Sequence, residues 1–125
     1  MSDLNAKWRE LVKAGKAEWR PGMSGQLPDN RFIRVANDLA PYWGGAGVRL
    51  GDTVPEDTLP EWDDPATLGC LLAMVRAAWG DDDIYFGSSL SFKRKRWSWV
   101  KGGGEHIGQG DTEAEALLAA LEAAP

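Results

Sequence analysis

Few side chains in this chain are of the types that reacting groups need, and their spacing decides against each of them. Cys70 is the single cysteine, and with no His at helical spacing from it, it reads as core filling rather than as a nucleophile or metal ligand. His106 is the single histidine, and Glu105 beside it completes neither H-x-E nor HExxH, so it reads as a strand or surface residue. Asp81, Asp82 and Asp83 are consecutive; on the entry to a strand such neighbours point apart, so they read as a solvated turn and not a cation site. The run Gly102, Gly103, Gly104 is followed by neither a helix start nor Gly-Lys-Ser/Thr, which makes it a turn and not a phosphate loop. There is no Ser-His-Asp ordering and no nucleophile elbow. The chemistry to expect is recognition without catalysis, with no metal and no cofactor.

Residues that recognise are plentiful. The segment from Phe92 to Trp99 sets Lys93, Arg94, Lys95 and Arg96 beside Trp97 and Trp99. If it is one strand, Lys93, Lys95, Trp97 and Trp99 share a side, and Phe92, Arg94, Arg96 and Val100 share the other. Three readings follow. The charges blunt strand self-association while the tryptophans cover the helices; the strand contacts a protein; or four cations hold a nucleic-acid backbone while the indoles stack on bases. Tryptophan is abundant, at positions 8, 19, 43, 62, 79, 97 and 99, and a core of this size can fill itself with leucine. Some of these rings are therefore expected at an interface, where Trp, Tyr and Arg concentrate binding energy. The surface expected is the loop around Tyr42 and Trp43 together with the strand bearing Arg94, Arg96, Trp97 and Trp99, with Trp43 a hot spot rather than core.

The elements that position these residues are marked by their ends. Asp64 is a good N-cap and Pro65 suits a first helical position, where its missing N–H has no partner to lose; Gly80 supplies the stop. Between them Leu68, Leu71, Leu72, Val75 and Trp79 recur at helical spacing, and Cys70, Ala73, Met74 and Ala77 leave little of the other side polar, which predicts a mostly buried helix. Thr112 with Glu115 is a capping-box pattern that opens a last helix with Ala114, Leu117, Leu118 and Leu121 on one face. Ser2 or Asp3 caps a first helix with Leu4, Trp8, Leu11 and Val12 in a stripe, closed by Gly15. Strands are predicted at Arg31 to Val35, Ile84 to Leu90, Phe92 to Val100 and Glu105 to Gln109, the middle pair joined near Gly87-Ser88-Ser89 or Leu90-Ser91. From Asn37 to Asp63, prolines and glycines read as one long connection with a short extended piece around Val48 to Leu50, ordered by Tyr42, Trp43 and Trp62.

The chain has 125 residues, 43% hydrophobic and 26% charged, which predicts one ordered domain, and the order of helices and strands makes it α+β. Its expected segments are 1–36 with the first helix and short strand, 37–63 as the connection, and 64–125 as a helix, three antiparallel strands and a helix. Net charge is −5, with 8 basic and 10 acidic groups in residues 1–63 and 6 and 9 in 64–125. That balance disfavours nonspecific attraction to nucleic acid or an anionic membrane. No window approaches a membrane span, and the N-terminus lacks an apolar leader core, so a cytoplasmic location is expected. The same helix and strand order occurs in double-stranded RNA-binding domains, but there the last helix opens with lysines toward phosphate. Here Asp111, Glu113 and Glu115 stand at that place and would repel it.

The stretch DDPATLGCLLAMVRAAWGDDDIY and, after the hairpin, GDTEAEALLAALEAAP together resemble small phage and prophage proteins of the phage ABA sandwich kind, with Trp19-Arg20-Pro21-Gly22-Met23 a weaker echo. The resemblance spans about Asp63 to Pro125. It implies an α+β layered fold, a phage origin, action inside a bacterial cell and no assigned catalytic residue. On that basis the expected function is a phage accessory protein that binds a host or phage protein, for example as an inhibitor of a defence system such as CRISPR. The alternative is a nucleic-acid-binding module using Lys93 to Trp99.

Overall fold

The computed structural model describes residues 2–43 and 48–125, without the side chains of Ser2, Asp3 and Val48. The fold is α+β, with three helices and two antiparallel sheets. The chain divides into two compact units, one of Trp19–Cys70 and one of Met1–Glu18 with Leu71–Pro125. No helix among the described residues is long and apolar enough to cross a membrane.

The first unit is a five-stranded sheet of short strands, β1 (Ser24–Gln26), β2 (Phe32–Val35), β3 (Pro41–Trp43), β4 (Val48–Arg49) and β5 (Leu59–Pro60), in the order β4-β3-β2-β1-β5. The strand expected from Arg31 is present as β2. The connection expected from Asn37 to Asp63 holds its expected extended piece, at β4, and two strands outside that expectation, β3 and β5. Two-residue and three-residue strands show little alternation, and Pro41 and Pro60, which argue against a strand interior, sit here at strand ends. Met23, Leu27, Ile33, Val35, Ala40 and Pro41 are among the unit's buried apolar side chains. The neighbouring β2 residues Phe32 and Arg34 face outward, as a period of two requires.

Helix α2 (Pro65–Trp79) begins in this unit, with its first residues Pro65 to Cys70, and continues into the other. Its predicted cap is present: Asp64 Oδ2 accepts the Thr67 N–H at 3.0 Å and the Thr67 hydroxyl at 2.9 Å. The same Thr67 Oγ1 accepts the Ser24 N–H at 2.9 Å, which joins the helix start to β1. At its other end Asp81 N–H reaches Arg76 O at 3.0 Å and Gly80 N–H reaches Ala77 O at 3.3 Å. That is the Schellman pair, made possible by Gly80 at φ 65. The helix is less buried than its composition suggests. Thr67, Leu71, Met74 and Val75 form the buried stripe, while Ala66, Gly69, Ala73 and Ala77 are exposed, since alanine on a solvated face costs a helix nothing.

Asp64 also receives both Arg34 guanidinium nitrogens, at 2.9 and 3.3 Å. Burial alone would raise its carboxyl. The hydrogen bonds from Arg34 and Thr67, with the guanidinium charge, outweigh that and hold it below the ordinary carboxylate value. A folded-state pKa below the unfolded one stabilises above the unfolded value, about 3.9, and this stabilisation is lost as pH falls through and below it. The stability difference between the native chain and Asp64→Asn in urea is therefore expected to shrink from pH 7 to pH 3. A difference equal at both would contradict this.

The second unit holds α1 (Ser2–Lys13), the rest of α2, the sheet of β6 (Tyr85–Leu90), β7 (Arg96–Gly102) and β8 (Glu105–Gly110), and α3 (Glu113–Glu122). The sheet order is β6-β7-β8. In α1, Leu4, Trp8 and Leu11 are buried as predicted, while Val12 is exposed. Helix α3 lies on the sheet and α1 packs on α3, with Lys16 Nζ donating to the C-terminal carbonyls of Glu122 and Ala124 at 3.1 and 3.3 Å. Helix α2 joins at one end, where Arg76 Nε donates to Ile84 O and Trp79 Nε1 to Ala120 O, both at 2.8 Å. The Thr112 cap holds, with Glu115 N–H on its hydroxyl at 3.2 Å; the Glu115 carboxylate returns to the Asp111 N–H at 3.0 Å.

Candidate binding face

Two faces of the three-stranded sheet do opposite work, and side-chain volume decides which is which. On β7, Ser98 and Val100 are buried; across from them stand Ser88 and Phe86 on β6, and Gly110 and Gly108 on β8. This is the face under α3. The helix rests almost directly on the β8 backbone: a Cβ at Gly108 would stand 2.3 Å from Ala116 O and 2.6 Å from Ala120 N. Trp97 and Trp99 therefore do not cover the helices, contrary to one reading of the segment. There is no room for an indole between a strand and a helix this close.

The opposite face carries Tyr85, Ser89, Trp97, Trp99 and Lys101, with Trp99 paired to Gly87 and Trp97 to Ser89. Trp99 lies over Gly87, where a Cβ would meet the ring at 2.9 Å, and its Nε1 donates to Ser89 Oγ at 2.9 Å. Tyr85 meets it edge-on, with centroids 5.5 Å apart, and Lys101 Nζ stands 4.9 Å from its ring centroid. His106 packs edge-on against Trp97 at 5.5 Å. Trp99 is thus a fixed pillar. Trp97 differs: it is half-buried, yet its indole N–H has no hydrogen-bond partner among the described residues. Tyr85 is 50% exposed.

The segment expected as one strand from Phe92 to Val100 breaks in two. Residues Ser91 to Lys95 are a turn, held by Ser91 N–H on Lys95 O and Arg94 N–H on Ser91 O, both at 2.8 Å, and β7 starts only at Arg96. Arg94 sits at the left-handed position of that turn, φ 59, so it and Lys93 do not share strand faces with the tryptophans. Of the candidate residues, Arg96, Trp97 and Trp99 share β7, and Arg94 lies two residues before it.

Tyr42 and Trp43 belong to the five-stranded unit, on β3. Tyr42 is half-buried and paired with Arg34 and Arg49. Trp43 is 45% exposed, with the Arg31 guanidinium 6.0 Å from its ring centroid, so it is not a core residue. The loop that follows, residues 44–47, lies outside the described residues.

Cys70 is half-buried and its Sγ lies 3.5 Å from Pro21 O; burial pushes the thiol above its usual value, which leaves it a poor nucleophile at neutral pH. No group of three or more His, Cys, Asp or Glu among the described residues is placed to hold a metal ion. No family model, curated protein or solved structure matches the chain.

Proposed function

We propose that this chain is a non-enzymatic binding protein that takes a protein partner on the outer face of the β6-β7-β8 sheet. The observation that carries the reading is Trp97: a half-buried indole on an aromatic face with Tyr85, Trp99 and His106, its N–H without a hydrogen-bond partner among the described residues. Trp99, Tyr85 and His106 hold the surface in shape before a partner arrives, which lowers the entropic cost of binding. Tryptophan and tyrosine at the centre of such a patch are among the residues that dominate interface energetics. The resemblance to small phage proteins adds the setting, a protein of the bacterial host or of the phage met in the bacterial cytoplasm, with inhibition of a host defence system such as CRISPR one form of it.

A second reading has its own observation. The basic turn Lys93 to Arg96 leads directly into the strand of Trp97 and Trp99, an arrangement suited to single-stranded nucleic acid. Against it stands the remainder of the chain, which carries net −9 once these four cations are set aside from the total of −5. Fluorescence anisotropy with a labelled single-stranded oligonucleotide separates the two. Protein recognition predicts no binding at physiological salt. Tight binding that weakens steeply with salt and is abolished by Lys93→Glu with Arg94→Glu would replace it with the second.

A further inference from the structure

The β6-β7 turn has a feature that the outer face does not need. Phe92, at its tip, is fully exposed at 103%, and Leu90 at its shoulder is 66% exposed. Lys93, Arg94, Lys95 and Arg96 follow directly in the chain, all exposed, and of these four only Lys95 forms an ion pair among the described residues, with Asp111 at 3.8 Å. The turn is fixed by three hydrogen bonds, the third from Lys95 N–H to Ser91 Oγ at 3.1 Å. This is a rigid apolar knob in a cationic collar, on a chain that is otherwise acidic.

Its complement lies on the same unit. A depression of about 580 Å³ between α1, the end of β8 and the start of α3 is lined by Leu4, Ala6, Glu10, Gln109, Asp111 and Glu115, with Lys7 also at its wall. Exposed Ala6, with buried Leu4 beneath it, gives it a small apolar floor, and three carboxylates outnumber one ammonium at its wall. The volume falls in the range of pockets that hold ligands larger than a benzyl group. Knob and depression adjoin, because Asp111 both lines the depression and stands beside Lys95.

We infer that the occupant is a second copy of this chain, with Phe92 of each copy seated in the depression of the other. Adjoining complementary patches on one surface are what an isologous two-fold contact requires, since a single rotation satisfies both contacts at once. The collar meets the carboxylates Glu10, Asp111 and Glu115, and the contact removes two exposed phenylalanines from water. A nucleic acid would gain the same four cations but would lie against the acidic remainder. The inference uses none of Tyr85, Trp97 and Trp99, so its test and that of the proposed partner face fail separately.

Sedimentation velocity on the full chain tests it. At low salt the chain is expected to form a dimer that dissociates as salt rises. Phe92→Ser is expected to weaken self-association roughly thirtyfold, with unchanged far-ultraviolet circular dichroism. Charge reversal gives a control for folding. Lys93→Glu with Arg94→Glu in one chain, or Glu10→Lys in the other, should leave each alone monomeric, and mixing the two should restore a heterodimer. A native chain monomeric at high micromolar concentration overturns the inference, as does a dimer indifferent to Phe92→Ser and to both charge reversals. A monomeric chain whose turn binds a labelled oligonucleotide would overturn it in favour of nucleic acid.

Discussion

Gly108→Ala is expected to destabilise the second unit by about 3 kcal/mol, the upper part of the range for overpacking. The added methyl would stand 2.3 Å from Ala116 O, 2.6 Å from Ala120 N and 2.8 Å from Ala120 Cβ. Two of these are backbone atoms of α3, so the contact is not relieved by turning a side chain. Either β8 leaves β7 or α3 lifts from the sheet, and Leu117, Leu118 and Leu121, all fully buried, lose their packing. Gly110→Ala is the comparison: its closest contact is the Glu115 Cβ at 2.6 Å, with the Ala116 N at 3.2 Å, and it is expected to cost less. Urea unfolding followed by tryptophan fluorescence measures both. Equal and small effects would mean that α3 does not rest on β8 as described.

Thr67→Val should cost about 2 kcal/mol, although it keeps the shape of the side chain. The Ser24 N–H is buried with Ser24 only 3% exposed, and Thr67 Oγ1 is its acceptor at 2.9 Å. Valine leaves that donor without a partner and out of reach of water, which is the expensive half of losing a hydrogen bond. It also removes the hydroxyl that Asp64 accepts in the cap. Thr67→Ser, which keeps the oxygen, should recover most of the loss in the same urea titration. If valine and serine cost the same, the methyl group and not the hydroxyl holds α2 to β1.

Helix ends were readable because each is a local event. Asp64 with Pro65, Gly80, and Thr112 with Glu115 act within a few residues, and all behave as the capping rules require. The hairpins were harder for a definite reason. Three close by the same turn, Leu27 to Arg31, Ala36 to Ala40 and Ser91 to Lys95. In each the first N–H meets the last carbonyl, and the fourth residue is left-handed. That position favours glycine, but here it holds Asn30, Leu39 and Arg94, so a search for Gly-bearing turns passes over them. Leu27-Pro28-Asp29-Asn30 does contain Pro and Asx turn residues, and was the available signal. The same displaced turn moved Lys93 and Arg94 off the strand.

The candidate face was legible in part. Period two put Trp97 and Trp99 on one side, but hydrophobicity alone suggested that this side met the helices. The information that reverses it lies on another strand, where Gly108 and Gly110 alternate. Glycine at every second strand position marks close approach of another backbone, and here α3 makes it. Bulky rings then belong to the face that α3 does not cover. Phe92 carried no signal of its own, since its exposure follows from the turn and not from its neighbours.

The most direct test of binding through that outer face is quantitative capture from bacterial lysate, with the native chain and Trp97→Ala compared at matched protein and after equal melting temperatures have been established. The native chain is expected to retain a discrete protein, and Trp97→Ala to bind it more weakly by on the order of 2 kcal/mol, as loss of an interface anchor does. Equal capture by both chains, or capture of nucleic acid alone, would contradict the assignment of this face to a protein partner.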